Sequence, residues 1–217
     1  MSFTVINCAQ RSPEWYQARL GRLTGSAVGD VIAQRKKGTG ELKARADLRR
    51  RIVAERLTGL SLDDLPFTPF DVQRGVELEP LAFAAYEAVT GLCAERVGFV
   101  QHGTLMLGCS PDGRIGEWEG CLELKCPKAN THLSYVQAGV IPDEYLGQCL
   151  MGCYLTGAPW WDFCSFHPDF PVGLDLFRVR LEPTAEALKL FDDAVRTFLA
   201  ECDRDEAAVR ALVKAVA

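Results

Sequence analysis

The chain of 217 residues is 48% hydrophobic and 24% charged, which supplies one sizeable core and leaves too little for two, so residues 1–217 read as a single domain. No apolar run reaches the roughly 20 residues of a bilayer-spanning helix, and the N-terminus lacks the charged-then-apolar layout of a secretory signal; both exclude a membrane partner and place the protein in the cytoplasm. A net charge of −5 excludes a uniformly basic nucleic-acid coat, though a local basic groove remains compatible with it because distant charges are screened beyond about 8 Å.

In chain order, Ser12 with Pro13 reads as a helix start, Gly21 as its stop, and Ser26 as the opening of a second short helix. Nine basic residues then fall within twenty-two positions: Arg35, Lys36, Lys37, Lys43, Arg45, Arg49, Arg50, Arg51 and Arg56. They occupy a loop and a helix from about Glu41 to Leu57. Leu42, Ala46, Ile52, Val53 and Leu57 give that helix a buried stripe and leave its arginines outside, either as a solvated face or as a contact for a DNA backbone through Lys36, Lys37, Arg45 and Arg49. Asp71 to Gly91 reads as helical around Pro80. Thr104 to Cys109 and Cys121 to Cys126 read as the two strands of a hairpin whose turn is the glycine-containing segment 113–120. Pro127 to Val140 is a helix or loop, Pro142 to Leu155 an amphipathic helix and Trp160 to Phe166 a strand. Leu176 to Leu181 alternates as a half-exposed strand, and two helices follow, Thr184 to Leu199 and Asp203 to Ala217. The nine cysteines include no CxxC pair, and core packing accounts for them better than a disulfide framework, a zinc site or an iron–sulfur cluster.

The chemistry sits in the 104–126 stretch. Ser110-Pro111-Asp112 precedes Glu123-Leu124-Lys125 by eleven positions. Alternation puts Glu123 and Lys125 on one face of their strand, with Leu122 and Leu124 on the other. Pro111 ends pairing and frees Asp112 to lean toward Glu123. Two carboxylates beside a lysine suit a hard cation such as Mg²⁺, which offsets the charge of a phosphodiester and acidifies a bound water. An acidic hairpin with a solvated Glu/Lys face is the plainer alternative.

Four ordered motifs decide between them. Trp15-Tyr16-Gln17-Ala18-Arg19-Leu20-Gly21 with Thr24-Gly25-Ser26, then Gly75-Val76-Glu77-Leu78-Glu79, then Ser110-Pro111-Asp112 with Glu123-Leu124-Lys125, then Gln148 resemble, in sequence, the motifs of the PD-(D/E)xK nucleases of the lambda-exonuclease branch, the YqaJ-type viral recombinases. The resemblance implies an α/β fold with a restriction-endonuclease-like core, a central mixed β-sheet flanked by helices. It implies a Mg²⁺-dependent exodeoxyribonuclease, with Mn²⁺ as a substitute, that digests linear double-stranded DNA 5′-to-3′ and leaves 3′ single strands for recombination by strand annealing. Asp112, Glu123, Lys125, Gln148 and Glu79 would be catalytic; Asp112, Glu123 and the Leu124 carbonyl would hold metal, two ions in all; Arg19, Ser26 and Ser110 would bind the 5′-phosphate. Singly, Arg19 could be a surface residue, Ser26 a helix cap and Glu79 a surface acid. The family's best-known member has a further acid where this chain has His102, so His102 is either a nitrogen ligand or a strand-edge histidine. A homotrimeric ring and a single-strand annealing partner are implied by analogy alone. The other readings are a structure-specific or restriction-type endonuclease on the same core, and a degenerate DNA-binding recombination factor.

Overall fold

The computed structural model describes residues 2–33, 40–62 and 69–216. Nine strands among them form two mixed sheets. The first contains β1 (Phe3–Ile6), β4 (Phe99–His102), β5 (Leu107–Cys109) and β2 (Leu23–Thr24) in that spatial order, with only β5 and β2 parallel. The second runs β3 (Ala94–Arg96), β6 (Gly113–Ile115), β7 (Gly120–Lys125), β8 (Trp161–Phe166) and β9 (Leu176–Leu181), with only β7 and β8 parallel. Parallel neighbours need a crossover rather than a tight turn, and α5 (Ala129–Ala138) and α6 (Asp143–Thr156) supply it.

The helix starts follow local chemistry. At α1 (Pro13–Arg19) the Ser12 hydroxyl accepts the Trp15 N–H at 3.2 Å, and Pro13 sits where its missing N–H costs nothing. Helix α4 (Pro69–Thr90) runs through Pro80 without interruption. Strand β7 is buried on both faces, as a central strand between helical layers should be. Leu122 and Leu124 meet Phe83 and Tyr86 of α4, while Cys121 joins the larger core of Leu23, Leu107, Met151, Leu155, Phe163 and Phe198. Six of the nine cysteines are buried and all are free thiols.

Three expectations are corrected. The strand pair facing Cys121–Lys125 is not the 104–109 segment: β5 belongs to the other sheet, and β7 pairs instead with the three-residue β6, closed by a turn in which Gly116 and Trp118 take left-handed φ of 53° and 72°. Ser110 and Pro111 bridge the two sheets, since a residue without an N–H cannot continue β5 into the second ladder. The α2 helix is Gly29–Ile32, so Ser26 lies in the turn before it rather than at a helix start. The last two helices are one, α7 (Ala185–Val216).

The continuity of α7 also explains the basic cluster. Helix α3 (Lys43–Thr58) packs along α7, burying Leu48, Ile52 and Val53 on an axis shifted from the expected stripe, with Leu57 exposed. Arg49 pairs with Glu201 at 3.1 Å and Asp205 at 2.8 Å, Arg45 with Glu201 at 2.6 Å, and Arg56 with Asp203 at 2.8 Å. Acids of the unbroken α7 are the partners of arginines expected either as a solvated face or as a DNA contact. Arg45 and Arg49 are thus engaged in an intramolecular ladder with the acids of α7, not displayed as the free DNA-backbone contacts expected of them. Arg35, Lys36 and Lys37 lie outside the described residues. No helix among the described residues is long and apolar enough to cross a membrane.

Candidate active site

A cleft of about 830 Å³ opens where the two sheets meet α1, α4 and α6, and its walls include Arg19, Ser26, Glu79, Ser110, Asp112, Glu123, Leu124, Lys125 and Gln148. Segments more than a hundred residues apart in sequence converge there. Of the expected site residues within the described segments, the cleft omits His102 and the arginines of α3.

The reactive centre is built on β7. Asp112 is locked to it from both directions: its N–H donates to the Leu122 carbonyl at 3.0 Å, and its Oδ2 accepts the Leu124 N–H at 2.7 Å. Lys125 Nζ lies 2.5 Å from Glu123 Oε1, while Glu123 Oε2 is buried with no hydrogen-bond partner among the described residues. Burial and the neighbouring Glu123 charge push the Asp112 carboxyl up to about 8, against the pull of Lys125. Burial works against the Lys125 charge, but Glu123 and Asp112 outweigh it and hold the lysine above its ordinary value. In the metal-free protein this favours the charged ammonium, a compact donor beside the two carboxylates.

A second group of polar side chains is aligned beside it. Trp15 Nε1 donates to Ser110 Oγ at 2.8 Å, and the Arg19 guanidinium stacks 4.0 Å over the Trp15 ring. Gly25 lies against Cys109 and Gln148, where a Cβ would stand 3.2 Å and 3.3 Å from their side chains, and this close approach sets Ser26 at the cleft wall shared with Gln148. Ser26 reaches that position from a turn, with its hydroxyl 3.4 Å from Thr24 Oγ1. Glu79 enters from α4 and adds to the field that raises Asp112, while its carboxylate pairs with Arg96 of β3.

His102 is placed elsewhere. It ends β4 in the first sheet, where Nδ1 accepts the N–H groups of Thr104 and Leu105 at 3.1 and 3.0 Å and the ring stacks near Tyr154. Both accepted bonds close the 102–105 bend, so Nδ1 caps a turn, and the ring lies outside the cleft that Asp112 and Glu123 line. Among the described residues, no three His, Cys, Asp or Glu side chains converge closely enough to hold a metal by themselves; the acids that remain are Asp112 and Glu123.

Sequence inspection also missed members of the site. The Tyr145 ring lies 5.0 Å from Lys125 Nζ and stacks on Phe163, giving the lysine an aromatic floor. Its spacing of three from Gln148, on one helical face, was the available signal. Arg11 and Arg74 line the cleft as well, and Arg11 does so with a left-handed φ of 69°, the kind of backbone outlier that clusters at functional sites.

The raised Asp112 carboxyl has a measurable consequence for the metal-free protein. Between the ordinary carboxylate range and about 8 the folded chain keeps a proton that the unfolded chain has released, so stability falls as pH rises through that window. In EDTA, Tm is expected to drop from pH 5.5 to pH 8, and to drop less in Asp112→Asn. A parallel pH profile for the two proteins would show that Asp112 titrates normally.

Residues 14–159 match the model of the YqaJ-like viral recombinase domain. The fold is similar to that of an alkaline exonuclease, LHK-Exo, from Laribacter hongkongensis, with a TM-score of 0.83 and 31% identity over 95% of this chain and 100% of that one. The same exonuclease in complex with dAMP gives a TM-score of 0.82 at 32% identity, with the same coverage. A phage-related exonuclease from Haemophilus somnus 129PT shares the fold alone, with a TM-score of 0.68 and 14% identity over 87% of this chain and 96% of that one. No curated protein is significantly similar to the chain. With the nuclease core, the paired carboxylates and the lysine in place, the chain belongs to the YqaJ-like viral recombinase family, whose structural relatives are exonucleases of the lambda type.

Proposed function

We propose that this protein is a Mg²⁺-dependent exodeoxyribonuclease that digests one strand of linear double-stranded DNA from a phosphorylated 5′ end and leaves a 3′ single strand for annealing. The observation that carries this reading is a single cleft holding two groups of residues. One is the Asp112, Glu123 and Lys125 centre, and the other is the Arg19–Trp15–Ser110 stack with Ser26. An endonuclease needs only the first.

The donors fit the cation. Among the described residues Glu123 Oε2 is a buried oxygen lacking a partner, and burial together with the Glu123 charge holds the Asp112 carboxyl well above its ordinary value; a small hard cation would offset the charge of such oxygens. Asp112, Glu123 and the Leu124 carbonyl would hold it. Mn²⁺, which shares that oxygen chemistry, is the expected substitute. With His102 in the other sheet, a second ion would depend on Glu79. When bound, the ion would supply an acidified water and charge neutralisation at the phosphodiester.

The chain's own groups do the rest. Arg19 offers a bidentate, charge-assisted grip on a terminal phosphate, and Ser26 and Ser110 add hydroxyls. Holding the end there registers the first internucleotide bond over Asp112 and Glu123. Lys125, kept charged by its carboxylate neighbours, stabilises charge on the scissile phosphate. Gln148 orients the attacking water or a phosphate oxygen. The dAMP in the related exonuclease is a mononucleotide, in keeping with stepwise removal from an end. By the same family analogy, the protein acts in the cytoplasm as one nuclease domain, assembles as a homotrimeric ring around duplex DNA and works with a single-strand annealing protein.

The direct test compares linear duplexes with 5′-phosphate and 5′-hydroxyl ends. The parent should prefer the phosphate, and Arg19→Ala should erase that preference while altering hydroxyl-end digestion little. An equal loss on both ends would make Arg19 a structural residue, and cutting of covalently closed circles at a comparable rate would establish the endonuclease instead.

A further inference from the structure

Arg74, on α4, lines the cleft with its guanidinium only partly satisfied. Nη2 donates to the Pro127 carbonyl at 3.2 Å, while Nε is buried and has no hydrogen-bond partner among the described residues. Among the described residues Arg74 has no carboxylate partner, although the same helix holds Glu79 one turn further on, paired with Arg96. A buried guanidinium N–H without an acceptor costs free energy comparable to a lost hydrogen bond, and such a group is retained where an anion completes it.

The next residue supports a ligand at this place. Gly75 lines the same cleft, and a Cβ built on it meets nothing within 4 Å. Packing does not require glycine here, and glycine inside a helix costs roughly 1 kcal/mol relative to alanine. Its open face adjoins the unsatisfied Arg74 and gives a substrate backbone access to the helix. Arg74 is also anchored independently of the terminal-phosphate group. It hangs from Pro127, at the exit of β7, whereas Arg19 rests on Trp15 and, through it, on Ser110.

We propose that Arg74 and Gly75 form a second phosphate subsite, which grips a backbone phosphate of the digested strand other than its 5′-terminal one. The subsite rests on the exonuclease reading and deepens it by adding a residue that positions the strand. Arg74 was legible in sequence only as a neighbour of the Gly75-to-Glu79 motif.

The test measures binding of parent, Arg74→Gln and Gly75→Ala to 5′-phosphorylated and 5′-hydroxyl duplexes across a salt series in EDTA, with thermal melting and steady-state digestion in Mg²⁺. Loss of one phosphate contact should weaken binding by Arg74→Gln about tenfold and make its log–log salt slope shallower by about 0.9, equally for both ends. Gly75→Ala should melt no lower than the parent, because alanine favours the helix, and yet show a KM raised several-fold. An Arg74→Gln protein with the parent's salt slope, or a Gly75→Ala protein with the parent's KM, overturns the subsite. If Arg74→Gln fails to fold, Gly75→Ala decides the matter alone. A parent that does not digest duplex DNA would defeat the exonuclease reading itself; digestion by the parent with unchanged variants defeats only the subsite.

Discussion

Digestion of linear duplex is expected to fall by at least ~10³-fold in Glu123→Gln, Asp112→Asn and Lys125→Ala, each for a different reason. Glu123→Gln keeps the shape of a side chain that is 1% exposed, but removes the charge that would hold a cation. Asp112→Asn keeps a carbonyl oxygen to accept the Leu124 N–H and likewise loses the charge. Lys125→Ala leaves both carboxylates in place, so Mn²⁺ binding measured by calorimetry should survive while turnover does not. It also leaves the buried Glu123 charge without its partner, a loss that costs several kcal/mol in other buried pairs; melting curves with Mn²⁺ present separate that cost from chemistry. Normal digestion by Lys125→Ala would remove this residue from the mechanism.

The largest effect on stability is expected far from the chemistry. Helix α6 carries Gln148 and Tyr145 to the cleft, and it reaches β8 by presenting Gly152 to the Trp161 ring, which is 1% exposed. A Cβ built on Gly152 would stand 1.8 Å from the nearest atom of that ring, and the indole is walled in by the main core. Gly152→Ala should destabilise the protein by at least about 2 kcal/mol, overpacking outweighing the helix-propensity gain of roughly 1 kcal/mol. For a chain of this length that lowers Tm by about 5 °C or more. An unchanged Tm would mean that α6 can rise off the sheet without cost. The same substitution at Gly75, on an open face, should have the opposite sign.

The residues that converge in the cleft were legible because they lie in short ordered motifs on one strand and its neighbours, where alternation alone separates Glu123 and Lys125 from Leu122 and Leu124. Strand pairing was not legible. Three-residue β6 is too short to announce itself beside the longer apolar run at 104–109, and nothing local tells a chain that Pro111 marks a change of sheet. The final helix was read as two, Thr184 to Leu199 and Asp203 to Ala217, whereas it runs unbroken through residues 200–202; the arginines that pair with Glu201 and Asp205 lie about 150 residues earlier, on α3. His102 was assigned by position relative to Asp112, and spacing is a poor guide where the intervening segment crosses between sheets. Arg74 and Tyr145 carry no signal of their own beyond standing near motif residues.

The way the cleft is assembled bears on how the protein matures. Its walls come from α1, the 24–28 turn, α4, the link between the two sheets, β7 and α6, so loop-closure entropy must be met over most of the chain before any two halves of the site meet. Helices α3 and α7 can zip their charges together without forming any part of it. A chain that has paired β6 with β7 but has not seated one sheet against the other already holds Asp112 beside Glu123, yet lacks the Arg19 and Ser26 walls of the cleft that come with the first sheet. The complete cleft is therefore confined to the fully folded molecule.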